Sequence, residues 1–206
     1  MGGGGRSDPA RRWRTLADAA PPLDAWLAEL GLEVVDGGGL PDDPAFSRDL
    51  LLDGERRFDL RVTVAWVAGV GLSTWAYYGP ETMEIPKRVM ARLLRANFDY
   101  PFVKFALTDD DRPMLVTELP ADGLDRDALG RALVRLAIVA DRLLDETATA
   151  VADRGALPDW AGRNPRNPTL LAAYRAEVEA TMPPWQPVVP PPRRRGLLER
   201  LLGTRR

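Results

Sequence analysis

Within these 206 residues, the run "FDLRVTVAW" constrains the fold more than any other. Phe58, Leu60, Val62, Val64 and Trp66 fall on one side of an extended chain, with Arg57, Asp59, Arg61 and Thr63 on the other. Successive strand side chains point to opposite faces, so the alternation demands a sheet with one face in a core and the other at least partly wet. Asp53-Gly54, between "DLLL" and this run, reads as the turn of a hairpin.

The neighbouring segments supply partners. "PPLDAWLAELGL" places Leu23, Trp26, Leu27 and Leu30 on one helical face, and Gly31 stands where the helix should end. "GLSTWAYYG" reads as a third strand. Pro86 suits the start of a second helix, with Val89, Met90, Leu93 and Leu94 as its apolar stripe. "YPFVKFALTDDDRPMLVTELP" reads as a second hairpin turning at Asp109 to Arg112, with Val103, Phe105 and Leu107 on one face and Phe102, Lys104 and Ala106 on the other. Asp125 can cap a long helix that turns Leu129, Leu133, Leu136, Ala140, Leu143 and Leu144 inward. A last helix is expected from Asn167-Pro168 to Pro183-Pro184.

The expected fold is therefore α+β and two-layered: an antiparallel five-stranded sheet with helices packed on one face, in the order α-β-β-β-α-β-β-α, plus an extra C-terminal helix and a short amphipathic tail. Residues 1–20 read as a flexible basic arm, 21–182 as a single domain, 183–192 as a Pro-rich linker and 193–206 as a basic amphipathic tail.

The chain has no cysteine and no histidine. Disulfides, zinc-thiolate sites and Ser-His or Cys-His catalysis are excluded, and so is the usual general base at neutral pH. Aspartates gather in "DLLLDGE", "TDDDR" and "ADGLDRD", but turns and a helix cap account for them, and none gives the EF-hand spacing. "DGGGL" and "VAGVGLS" lack the phosphate-loop pattern and read as turns. We expect no catalytic residue, metal or cofactor; a carboxylate-dependent hydrolase is the weakest of three readings.

Net charge is -2, unevenly placed. Residues 193–206 carry six Arg against Glu199, and residues 6–14 four Arg against Asp8, so the body between these basic ends is acidic. That argues against a nucleic-acid surface on the folded part. No apolar run reaches the ~20 residues a bilayer span needs, and the start lacks the apolar stretch of a signal peptide, so a cytoplasmic protein is expected.

The aromatics are the more informative set. Alternation sends Trp75 and Tyr77 to the face opposite Tyr78, and sets Phe102 and Lys104 against Val103 and Phe105. With helices on one sheet face only, Trp75, Tyr77 and Phe102, with Arg61 and Lys104 nearby, become candidate contacts for a peptide or a second subunit. In the tail, Leu197, Leu198, Leu201 and Leu202 form an apolar stripe beside Arg200, a pattern suited to weak contact with an anionic membrane or a partner's groove.

From "MEIPKRVMARLLRAN" through "FVKFALTDDDRPMLVTELPADGLDRDALGRALVRLAIVADRLLDE", the sequence resembles the YbjN-like family of bacterial proteins. In element order it is also similar to type III secretion chaperones of the Tir-chaperone kind, the likeness covering about residues 22–148. The resemblance implies an α-β-β-β-α-β-β-α fold, commonly a homodimer, with no catalytic residues, binding a protein or peptide client in a chaperone-like or sensory-transduction role. The rival reading is a peripheral membrane scaffold working through the tail. Deleting residues 193–206 decides between them: the scaffold reading expects sedimentation with anionic liposomes to be lost, and unchanged sedimentation removes that role from the tail.

Overall fold

The computed structural model describes residues 20–79, 86–109, 111–144, 147, 160 and 162–184. In chain order the elements are α1 (Leu23–Glu29), β1 (Val34–Gly38), β2 (Ala45–Leu52), β3 (Leu60–Val67), β4 (Gly71–Tyr77), α2 (Lys87–Asp99), β5 (Lys104–Leu107), β6 (Pro113–Pro120), α3 (Arg126–Arg142) and α4 (Pro168–Ala180). The sheet is antiparallel throughout, in the order β1-β2-β3-β4-β6-β5. It has six strands where five are expected from sequence. The additional one, β1, is the glycine-bearing "VVDGG", which has little intrinsic strand preference and is recruited by pairing along β2, with a register shift between Val34 and Asp36.

The β3 alternation sets the layers. Leu60, Val62, Val64 and Trp66 are buried together with Leu50 and Leu52 of β2, Leu72 and Ala76 of β4, Leu115 of β6 and Phe105 of β5. Leu23 and Leu27 of α1, Val89 and Leu93 of α2, and Leu129, Leu133 and Leu136 of α3 close over them in one cluster. One expected wet-face position, Arg57, lies elsewhere. Asp59 has φ 58°, so the alternation breaks before β3 begins. Arg57 is therefore buried, its guanidinium 4.3 Å above the Tyr78 ring and its Nη2 donating to the Tyr78 carbonyl at 2.7 Å. Burial lowers its pKa.

Helix α3 starts as the sequence implies: the Asp125 carboxylate accepts the Ala128 N–H at 2.6 Å. Almost every residue from Leu129 to Ala140 is buried, so α3 is covered on both sides, by the sheet and by α4. The cover depends on Gly130, where an added Cβ would stand 2.5 Å from Tyr174 Cε2. Tyr174 O–H also donates to Asp127 at 2.7 Å. Helix α4 thus forms a partial third layer over the expected two.

Two carboxylates, Asp141 half-buried and Asp53 fully buried, fasten the ends of this arrangement to the β2–β3 turn. Asp141 of α3 accepts the backbone N–H groups of Glu55, Arg56 and Arg57 at 2.7, 3.1 and 2.7 Å. Asp53 accepts from the N–H of Asp59 at 2.8 Å and of Arg166 at 2.9 Å. Asn167 is the N-cap residue of α4, but its side chain caps nothing there. It instead accepts the Asp53 N–H and donates to the Asp53 carbonyl, at 2.9 and 3.0 Å.

Gly130→Leu should loosen α4: overpacking of this kind costs about 2 kcal/mol, which outweighs the propensity gained by replacing glycine. Denaturant unfolding and limited proteolysis within 162–184 check it, and a variant more stable than the parent would mean α4 is not seated on Gly130. A second prediction concerns Asp141, whose pKa is raised from 3.8 to about 6, chiefly by desolvation and against the pull of the amides it accepts. A raised acid pKa means the ionised form is disfavoured on folding. This contribution to stability is full below about pH 4 and falls by about 3 kcal/mol as pH rises through 6. A carboxyl carbon NMR titration should give a midpoint near 6 for Asp141, and a midpoint near its ordinary value would show the carboxylate to be better solvated than its burial implies.

Candidate functional site

No described element covers the second face of the sheet. Strand register lays one row across all six strands: Asp36, Asp49, Thr63, Trp75, Val116 and Lys104. All six are exposed or half-buried. A parallel row holds Tyr77, Met114 and Ala106, and Leu51 of β2 pairs with Arg61 of the adjacent β3. On the other side of Trp75 lie Ser47, Ala65, Ser73 and Glu118.

The chemistry is zoned. At the β1–β3 end, Arg61 donates to Asp49 at 2.6 and 3.1 Å and to Asp36 at 3.3 Å, while Thr63 O–H reaches the other Asp49 oxygen at 2.7 Å. The acceptor Asp49, and more weakly Asp36, hold the exposed Arg61 pKa above its ordinary value. These are solvent-facing pairs that fix side-chain direction more than stability. The centre is apolar, built from Trp75, Val116, Met114 and Ala106. Tyr77, 39% exposed, is capped by the Arg112 guanidinium 3.9 Å from its ring centre, and Arg112 is itself held by the Gly79 carbonyl at 2.8 Å. An apolar strip bounded by fixed charges is what a polypeptide surface fits. Among the described residues, no group of acids is placed to hold a metal ion.

Of the sequence candidates, Trp75, Tyr77, Arg61 and Lys104 share this face. Phe102 does not. Its φ is 65°, it lies in the turn before β5, and its ring sits 5.0 Å from the guanidinium of Arg135 in α3. One left-handed residue ends the alternation that extended-chain reasoning relied on. Leu197, Leu198, Arg200, Leu201 and Leu202 lie outside the described residues. Sequence reading missed Met114 and Val116, because half-buried aliphatic side chains in a β-hairpin look like core until the neighbouring layer is known.

The sheet edges differ. At β5 the Asn97 side chain accepts the Phe105 N–H at 2.6 Å and donates to the Phe105 carbonyl at 3.1 Å, so the outward backbone groups there are already paired. Lys104 Nζ adds a bond to the Asn97 carbonyl at 2.7 Å. At the other margin β1 is exposed along its whole length.

Fold and site together define a helix-backed antiparallel module with one bare, ring-bearing face. The chain belongs to the YbjN family, described as "Putative bacterial sensory transduction regulator", whose profile matches residues 41–148. That match runs from the β2 approach through α3, so α1, β1 and α4 lie outside it. Membership points to a regulatory binding protein rather than an enzyme. Among solved structures, the chain is similar to one chain of the heterodimeric complex ExoU-SpcU from the type III secretion system of Pseudomonas aeruginosa. Identity there is 26% and the TM-score 0.42, covering 60% of this chain and 95% of that one. No curated protein matches the chain. No described helix is long and apolar enough to cross a membrane.

Proposed function

We propose that this protein is a non-catalytic, chaperone-like or regulatory binding module whose bare sheet face receives a protein or peptide segment, and that it works as a homodimer. The observation that carries the reading is the central row: Trp75 and Val116 lie side by side, flanked by Thr63 and Lys104, with no described element over them. Apolar surface of this kind is stabilised by being taken out of water, at about 25 cal/mol per Å². Rings with few rotatable bonds lose little entropy in doing so, which is why aromatic residues anchor protein contacts. Arg61 and Lys104, at opposite ends of the strip, would orient a segment with acidic groups at its margins.

The same face could hold a second copy or a client, and one variant reads both. Trp75→Ser with Tyr77→Ser should leave far-UV circular dichroism intact, because neither side chain belongs to the buried cluster. Dimer mass by light scattering, or capture of the client, should be lost, with affinity falling on the order of 100-fold for two anchors. Unfolding of the double variant would show the rings to be core, and a folded variant with undiminished dimerisation and client capture would clear this face of the role.

A further inference from the structure

A cavity of about 90 Å³ opens between α3, α4 and the β2–β3 turn. Ile138 of α3 and Leu171 of α4 give it an apolar floor, and Asp141 shares its wall. Arg175 of α4 pairs with Glu55 of the turn, so an ion pair joins two of the walls. Beyond that pair the hollow continues as a shallow shelf beside Ala172 and Ala176. The α4 wall lies outside the family match, so the family profile does not describe this chamber.

The charges of the lining select the occupant. Arg175 is held by Glu55 and, at 3.3 Å, by Glu179. Arg142 donates to the Pro183 carbonyl at 2.8 Å and lies 3.7 Å from Glu179. Two arginines and two glutamates thus satisfy one another around the rim. Asp141 differs from them. Its oxygens accept three backbone amides of the turn, and among the described residues no cation forms an ion pair with it. The charges of Arg56 and Arg57 act on it through space, yet desolvation outweighs them and the amides together and holds its pKa above the ordinary value. An anionic guest would add repulsion to burial, and a neutral one would strip water from the carboxylate without replacing it. A singly charged cation brings the opposite charge that Asp141 lacks, while Ile138 and Leu171 receive a short hydrocarbon body.

We propose that this cavity binds a small primary alkylammonium, its nitrogen on Asp141 and its chain on Ile138 and Leu171. A carboxylate oxygen has two acceptor positions. Oδ1 of Asp141 spends both on the amides of Arg56 and Arg57, whereas Oδ2 spends one on Glu55 and keeps one for the guest. The Arg175–Glu55 pair restricts entry to a slim molecule. A guest here touches the turn, α3 and α4 at once, and so tightens the seating of α4. The site is separate from the bare sheet face and does not depend on it.

The test titrates n-butylamine into the full-length chain and follows the Asp141 carboxyl carbon by NMR, against sodium chloride at matched concentration. Butyrate and n-butanol, of the same chain length, are the controls. The amine should shift the Asp141 signal saturably, lower its titration midpoint and protect residues 162–184 from proteolysis, and neither control should. Only the ionised carboxylate attracts the cation. Affinity should therefore fall about ten-fold between about 1.5 pH units above the Asp141 midpoint and about one unit below it. Leu171→Phe fills the floor and should abolish binding with circular dichroism unchanged. Asp141→Asn removes the charge and should weaken binding by at least on the order of ten-fold. If that variant unfolds, Leu171→Phe and the pH dependence still decide. Lysine blocked at both ends carries the same ammonium on a bulkier body and should bind more weakly than butylamine. An Asp141 signal that answers butyrate or sodium chloride as it answers the amine overturns the proposal, and so does undiminished binding to Leu171→Phe. Tighter binding of blocked lysine than of butylamine overturns the assignment to a free amine and gives the cavity to a partner's lysine side chain.

Discussion

The register of β3 between β2 and β4 is the constraint on which the remaining structure depends. Strand side chains alternate with a period of two, so a slip by one residue would carry Val62 and Val64 into water and drive Arg61 and Thr63 into the core. The alignment is held from outside the strands as well as within them. The β2–β3 turn is gripped by Asp141 from α3 and by Asn167 at the head of α4. At Gly54 the Asp141 carboxylate lies so close that a side chain there would collide with it. A turn that cannot shift cannot let its two strands shift, and the two sheet faces keep their separate characters.

Much of this was legible in the sequence, for reasons that can be stated residue by residue. The β3 pattern, the Asp125 cap, the Gly31 stop and the leucines of α3 are local signals with a local physical cause, and each stands where its pattern implies. What the sequence hid was set by tertiary contact. Strand β1 exists because β2 offers it a ladder, not because "VVDGG" favours extension. Asn167 and Pro168 mark a helix start, yet the Asn167 side chain serves a turn 114 positions away in the chain. Left-handed backbone at Asp59 and Phe102 overturned the assignment of Arg57 and Phe102 to faces, and neither residue is the glycine that would have announced it.

The candidate face was half visible. Trp75 and Tyr77 could be placed opposite the core from alternation alone, because Tyr78 and the β3 residues gave the parity. Their neighbourhood could not, since Met114, Val116 and Ala106 reach it only through the order in which β6 and β5 join the sheet. Helix α4 shows the same division of labour. It falls outside the family match, yet it is bound to the domain by Tyr174 over Gly130 and by the Asp53–Asn167 exchange. An addition that shares the domain's buried polar groups belongs to the domain's stability and is no loose appendage.

The closure of β5 by Asn97 has a consequence for how these molecules can associate. Edge strands polymerise when both margins of a sheet offer unpaired backbone, each copy passing the ladder to the next. Here the amide of one side chain occupies both backbone groups of Phe105 at one margin, whereas β1 is exposed along the other. Copies that met through their ladders would join β1 to β1 and then have nothing further to offer, so growth would end at a pair instead of running on into a fibre.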